Sequence, residues 1–189
     1  LRRPHRDPAY ELPLEQQENL SEAYRIAFDF AKSPEDWIVF MGESGCGKTH
    51  LAAAIVNYRY QAGKPSLFVV VSDFLDHLRS TFSPESKVSY DQVFEKVKTA
   101  PLLVLDDLGE QISTPWVKEK LYQVINYRYN AKLPTVITTR YAPDEIVANL
   151  ENSISSRLVD RKISNAFNIT VPDFRTDYTG QRRTLRRQR

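Results

Sequence analysis

Eight consecutive residues, Gly42, Glu43, Ser44, Gly45, Cys46, Gly47, Lys48 and Thr49, fill every fixed position of G-x-x-x-x-G-K-[ST]. The spacing has a chemical reason. Glycine lacks the Cβ that obstructs tight and left-handed backbone conformations, so the N–H groups of such a loop can curl around an anion. Lys48 then reaches the β- and γ-phosphates of a nucleoside triphosphate, and the Thr49 hydroxyl takes one Mg2+ position. His50 follows directly and is expected to pack near the loop. A second constellation lies downstream, where Leu102, Leu103, Val104 and Leu105 run into Asp106 and Asp107. A buried parallel strand delivers such carboxylates to its C-terminal edge, where ligands of open α/β sheets bind. Asp106 is the candidate Mg2+ ligand, acting through the ion's water shell, and Asp107 is placed to orient or activate an attacking water.

The elements that must position these groups are legible from periodicity. Trp37, Ile38, Val39, Phe40 and Met41 form a short apolar strand ahead of the loop, and residues 48–62 form the helix behind it. That helix aims its N-terminus at the phosphates, with Gly63 as its C-terminal cap. Upstream, Leu20, Ala23, Tyr24, Ala27, Phe28 and Ala31 recur at helical spacing along one face of residues 16–32, which Ser33 and Pro34 terminate. Residues 67–71 are continuously apolar, the mark of a strand covered on both faces. Short helices follow at 72–79 and 90–98, the latter with Tyr90, Val93, Phe94 and Val97 inward, around a polar loop at 80–89. Residues 115–131 make a helix with Pro115 in its first turn and Val117, Leu121, Val124, Ile125 and Arg128 on one face. A strand at 134–139 ends in the hydroxyls of Thr138 and Thr139. Short helices from Pro143 and over 153–160 lead to a fifth strand at 167–171. Strands alternating with helices predict an α/β fold with a parallel sheet covered on both faces.

At 189 residues, 41% hydrophobic and 26% charged, the chain has the size and composition of one globular domain. No apolar run approaches the ~20 residues of a membrane-spanning helix. The single cysteine, Cys46, excludes an internal disulfide and fits a reducing, cytoplasmic compartment; it reads as a small residue filling a tight slot. His5, His50 and His77 have no metal-like spacing. The net charge of +2 conceals an uneven distribution, with Arg2, Arg3 and Arg6 opening the chain and Arg182, Arg183, Arg186, Arg187 and Arg189 closing it. The expected organisation is a linker at 1–15, a core at 16–172 and a basic tail at 173–189. A chain that starts at Leu1 is expected to be a fragment with a domain upstream.

These motifs resemble the AAA+ ATPases of the DnaC/DnaI helicase-loader and IstB transposition-helper group. The residues that carry the resemblance are Gly-Glu-Ser-Gly-Cys-Gly-Lys-Thr-His-Leu-Ala at 42–52, Asp-Phe-Leu-Asp-His-Leu-Arg at 73–79 and Leu-Leu-Val-Leu-Asp-Asp-Leu-Gly at 102–109. Ile137, Thr138 and Thr139 with Ser156, Arg157 and Leu158 complete the set. The resemblance implies a P-loop NTPase (AAA+, ASCE) three-layer sandwich with a five-stranded parallel sheet in the order 5-1-4-3-2. It also implies ATP with Mg2+ as ligand and nucleotide-dependent self-association into an oligomer or filament. Arg157 falls where such proteins carry an arginine finger, whose fixed charge and planar fork serve the γ-phosphate of a neighbouring subunit. At the end of the fourth strand the group places a sensor asparagine, and this chain has Arg140, which cannot accept a hydrogen bond. Either Thr139 takes the sensing role or hydrolysis is slow. The residues after Val171 are too few for a full helical lid. Arg79, Lys87, Lys96, Lys98 and the terminal arginines are candidate contacts to DNA phosphates. The implied functions are an ATPase that loads a replicative helicase on single-stranded DNA, a transposition helper that serves a transposase on duplex DNA, and an ATP-gated adaptor with little turnover.

Overall fold

The apolar run ahead of the glycine-rich loop becomes the interior of a sheet. In the computed structural model, which describes residues 12–83, 89–109 and 114–175, the elements in chain order are α1 (Leu14–Lys32), β1 (Trp37–Gly42), α2 (Lys48–Gln61), β2 (Leu67–Val70), α3 (Val71–Ser80) and α4 (Tyr90–Thr99). They continue with β3 (Leu103–Asp106), α5 (Pro115–Asn130), β4 (Thr135–Thr138), α6 (Pro143–Asn149), α7 (Asn152–Leu158) and β5 (Ser164–Ile169). The strands are all parallel and stand in the order β2-β3-β4-β1-β5, which is the expected 5-1-4-3-2 taken from the other edge.

The period-2 alternation of a strand divides the apolar residues between two cores. Trp37, Val39 and Met41 of β1 pack with Leu103, Leu105 and Ile137 against α3, α4, α5, α6 and α7. Ile38 and Phe40 pack with Val104 and Val136 against α1 and α2 on the other face. Burial on both faces explains why β1 and the Leu103–Leu105 part of β3 read as unbroken hydrophobic runs, while β4 is equally buried but opens and closes on Thr135 and Thr138. Residues 67–70 read the same way, yet all four are only half-buried. β2 is the sheet's edge strand, so one flank has no neighbour.

Three further expectations are corrected. α1 begins at Leu14, two residues before the expected start, so Leu14 and Glu15 leave the linker. Its buried stripe is Ala23, Ala27, Phe30 and Ala31. Tyr24 and Phe28 were expected on that stripe but lie beside it, 44% and 38% exposed, where they stack on each other and Phe28 meets Tyr58 of α2 edge-on. β5 starts three residues earlier than the predicted 167 and ends at Ile169, so the chain reaches Val171 already past the sheet.

Candidate nucleotide site

The loop leaves the C-terminal end of β1, an interior strand between β4 and the edge strand β5. Its tight curl needs glycine at two positions above all. At Gly42 (φ +133°) an added Cβ would lie 2.3 Å from the Ile169 carbonyl oxygen, and at Gly45 (φ +78°) it would lie 1.7 Å from Asp173 Oδ1. Cys46 is fully buried beneath the loop in the α1/α2 core, as a small residue in a tight slot should be. α2 begins at Lys48, so its unpaired N–H groups point at the loop's concave face.

A cavity of about 360 Å3 opens at this edge, walled by Ser44, Gly45, Gly47, Lys48, Thr49, Val70, Asp106, Asp107, Thr138, Arg140 and Arg175. The loop, the two acids and the end of β4 are thus brought together. Lys48 is buried and its ammonium donates to the carbonyls of Gly42 and Glu43, each at 2.7 Å, with Cys46 Sγ at 3.7 Å. These bonds stretch the side chain back along the loop and hold its charge at the cavity wall. Thr49 is exposed toward the cavity. A larger cleft of about 560 Å3 lies around Asp36, Trp37 and Arg161, at the N-terminal end of β1. It holds no loop able to cradle phosphate, so size alone does not locate the site.

Asp106 and Asp107 are set by a residue that sequence reasoning mentioned only as a strand-end hydroxyl. Thr138 Oγ1 donates to Asp106 Oδ1 at 2.6 Å and accepts the Asp107 backbone N–H at 2.9 Å. Since a backbone N–H can only donate, the hydroxyl proton is directed onto the Asp106 carboxylate, which it aims. Asp107 has φ +58°, a left-handed conformation that costs a non-glycine residue about 1–3 kcal/mol and persists where the surroundings enforce it. Here the enforcing contacts are the Thr138 hydroxyl and the Leu108 N–H bond to the Thr138 carbonyl at 2.8 Å. The sequence carried no signal for this pairing, which the register decides: Leu105 pairs with Ile137, and that sets Asp106 beside Thr138.

The expected sensor, Thr139, is not brought to the cavity. It is fully buried, its hydroxyl accepts the Tyr141 N–H at 3.2 Å and its own N–H is bonded to Phe40. Adjacent residues of a strand face opposite ways, and Thr138 has the cavity side. Arg140 does line the cavity, and its guanidinium stands 3.7 Å from the Asp107 carboxylate. Gly42, Glu43, Cys46 and His50 do not form its wall; His50 is exposed on α2 rather than packed on the loop.

Arg157 is likewise outside the cavity. It is half-buried on α7, donating to Asn126 Oδ1 at 2.6 Å and to the Ser153 carbonyl, between the rings of Tyr122 and Tyr129. Neither Asp160 nor Glu151 pairs with it; Asp160 instead accepts the Tyr129 hydroxyl at 2.5 Å, which holds its carboxyl below the usual carboxylate range. Of the candidate DNA cations, Arg79 is paired with Asp76 and lies over Trp116, Lys98 is paired with Glu95, and Lys96 is exposed. Lys87 and the terminal arginines lie outside the described residues.

A family model described as IstB-like ATP binding protein matches residues 16–174. Among curated relatives, the replicative helicase loader DnaC of Escherichia coli (strain K12) is 31% identical over 150 residues, covering 79% of this chain and 60% of that protein. The replicative helicase loader DnaI of Bacillus subtilis (strain 168) is 30% identical over 142 residues, covering 69% of this chain and 45% of that protein. The chain therefore spans about half to three fifths of the length of these relatives. A crystal structure of the DnaC helicase loader matches with a TM-score of 0.67 at 25% identity, over 85% of this chain and 94% of the other. Among the described residues, no helix is long and apolar enough to cross a membrane.

Proposed function

The chain belongs to the family of IstB-like ATP binding proteins, and from that premise we propose that it is the Mg2+-dependent ATPase core of a helicase loader that assembles on single-stranded DNA. The observation that carries this reading is the meeting of Lys48, Thr49, Asp106 and Asp107 around one cavity at the C-terminal edge of the sheet. Lys48 neutralises phosphate charge from beneath the loop. Thr49 and Asp106 offer the hard oxygen donors that suit Mg2+, and a site with so few protein ligands fits an ion that keeps its waters and draws on substrate phosphates. Bound there, the ion would supply charge neutralisation across the phosphates. Asp106 is already oriented for that role by Thr138. Asp107, held at the cavity wall, orients the attacking water. Arg157 lies outside its own chain's cavity and is assigned to a neighbour's, which makes the complete site a property of the assembly. The two curated helicase loaders support the loader reading over that of a transposition helper.

The test is ATP turnover with and without single- and double-stranded DNA, beside Lys48→Ala. We expect Mg2+-dependent turnover, raised by single-stranded DNA and lost in the variant. Absence of nucleotide binding by the intact chain would sink the proposal, and a preference for duplex DNA with stimulation by a transposase would replace the loader with the helper.

One observation favours a slower variant of the same function. The Arg140 guanidinium sits 3.7 Å from Asp107, where it competes for the lone pairs that would orient water. Arg140→Asn should raise turnover several-fold with little change in nucleotide affinity, as read from steady-state kinetics; unchanged or lower turnover would clear Arg140 of this restraint.

A further inference from the structure

The segments that leave β3 and β4 stay joined past the two acids. Thr138 meets Asp106 and Asp107 through its hydroxyl, and its carbonyl takes the Leu108 N–H. One step further on, the Tyr141 ring lies against the Gly109 backbone, so closely that a Cβ built there would stand 3.0 Å from Cε2 and 3.5 Å from Cζ. Gly109 is not among the glycines with positive φ, so its missing Cβ serves the ring's approach rather than a turn. Tyr141 also packs on the core of the α3–α7 face. Its N–H donates to the Thr139 hydroxyl at 3.2 Å, and the Thr139 N–H donates in turn to the Phe40 carbonyl at 3.0 Å. Neither Gly109 nor Tyr141 lines the cavity.

Arg140 stands between these two anchors. Its side chain and that of Asp107 are 45% and 47% exposed, with the charged groups 3.7 Å apart. An ion pair so open to water contributes little by itself, because solvent screens it and a long side chain loses rotamer freedom to make it. The pairing therefore does not hold Arg140 over Asp107 unaided; the backbone on either side must aim it. On one side Thr139 is tied to β1, and on the other the Tyr141 ring is seated on Gly109.

We propose that Tyr141 is a positioning residue of the candidate site, whose ring, seated on Gly109, fixes the backbone that carries Arg140 over Asp107. This inference rests on the reading that Arg140 restrains turnover through Asp107. Without the ring on Gly109, residues 139–141 keep only the anchor at Thr139. The guanidinium then swings into solvent, and the Asp107 lone pairs are released to water. The effect passes through Arg140 alone, so it disappears where Arg140 is absent.

The experiment is steady-state ATP turnover beside equilibrium ATP binding, with Mg2+, for the full chain and for Tyr141→Leu, Tyr141→Phe, Gly109→Ala and Arg140→Asn. Tyr141→Leu and Gly109→Ala are also each combined with Arg140→Asn. Leucine fills space toward the core without a flat ring, and Gly109→Ala displaces the ring while Tyr141 itself is kept. We expect Tyr141→Leu and Gly109→Ala each to raise turnover several-fold, toward the level of Arg140→Asn, with ATP affinity within about twofold of the parent. Tyr141→Phe should keep the parent's rate, and neither change should add anything in the Arg140→Asn background, since residues that act through one another are not additive. Turnover that is unchanged or lower in both single variants, while Arg140→Asn raises it, overturns the proposal and leaves the restraint by Arg140 standing. An effect that persists in the Arg140→Asn background also overturns it, because the contact would then be structural only. If the melting midpoint shows that Tyr141→Leu fails to fold, Gly109→Ala decides. No rise in Arg140→Asn itself fails the restraint reading, and the proposal with it.

Discussion

At the scale of single residues, the site depends on which hydroxyl at the end of β4 faces the acids. Thr138 is both donor to Asp106 and acceptor for Asp107, so one oxygen aims the carboxylate proposed to hold Mg2+ and stabilises a left-handed backbone. Valine has the same shape and neither capacity. Thr138→Val should leave nucleotide affinity within a few-fold of the parent and lower turnover by about tenfold or more, since each 1.36 kcal/mol lost from transition-state stabilisation is a factor of ten. Thr138→Ser should recover most of it. Steady-state turnover beside equilibrium nucleotide binding checks this, and equal loss in the serine variant would show that packing rather than the hydroxyl matters. No comparable effect is expected from Thr139→Val, whose hydroxyl faces the backbone of Tyr141.

At the scale of elements, the sheet edge opposite the site is closed by an arginine. Arg128 of α5 is fully buried and donates to the carbonyls of Lys98 (3.1 Å), Ala100 (2.7 Å) and Pro134 (2.6 Å) and to Thr135 Oγ1 (2.9 Å). These acceptors lie at the end of α4 and at the entry to β4, so one side chain ties α4, α5 and β4 together. Burial pushes its guanidinium down to about 10, which leaves it charged at neutral pH, with carbonyl dipoles rather than a carboxylate meeting that charge. The folded state then binds fewer protons only between that value and the ordinary arginine range, so no stability change from this group is expected with pH below about 9. Arg128→Met keeps much of the volume but takes the guanidinium from the Lys98 and Ala100 carbonyls, a buried acceptor without a partner costing about 1–3 kcal/mol, whereas Pro134 keeps its bond from the Leu103 N–H. We expect a loss of at least about 2 kcal/mol in urea unfolding. A loss under 1 kcal/mol would mean that water replaces the guanidinium.

At the scale of the whole molecule, the candidate site is divided between what one chain assembles and what it holds elsewhere. The loop, Asp106, Asp107 and Thr138 meet in one cavity, while Arg157 is parked on Asn126 and two tyrosine rings. Its Nε is buried without a hydrogen-bond partner among the described residues, so the guanidinium is incompletely satisfied where it lies. A finger acting in a neighbour's site predicts complementation. Lys48→Ala and Arg157→Ala should each be inactive alone and recover part of the parent's turnover when mixed, because mixed assemblies contain interfaces with both residues intact. No recovery at concentrations that support assembly would place Arg157 in a structural role.

By itself the sequence determined the order of elements, the sheet's composition and the loop with its two acids. Those are local or periodic signals: glycine spacing dictates a backbone shape, and residues 37–41 or 102–105 are apolar throughout because both faces of their strands are covered. At β2 the run is likewise packed toward both cores, through Leu67 and Val69 on one face and Phe68 on the other; what its hydrophobicity does not report is that the strand stands at the edge and is only half-buried. What only the tertiary structure decided is pairing across the chain. Thr138 rather than Thr139 meets Asp106 because of the register between β3 and β4, and Arg175 reaches Ser44 because β5 ends beside β1. No spacing in the sequence encodes a contact between positions 131 residues apart. Such contacts arise when the sheet brings strand ends together, and it is there, at the C-terminal edge, that the candidate site lies.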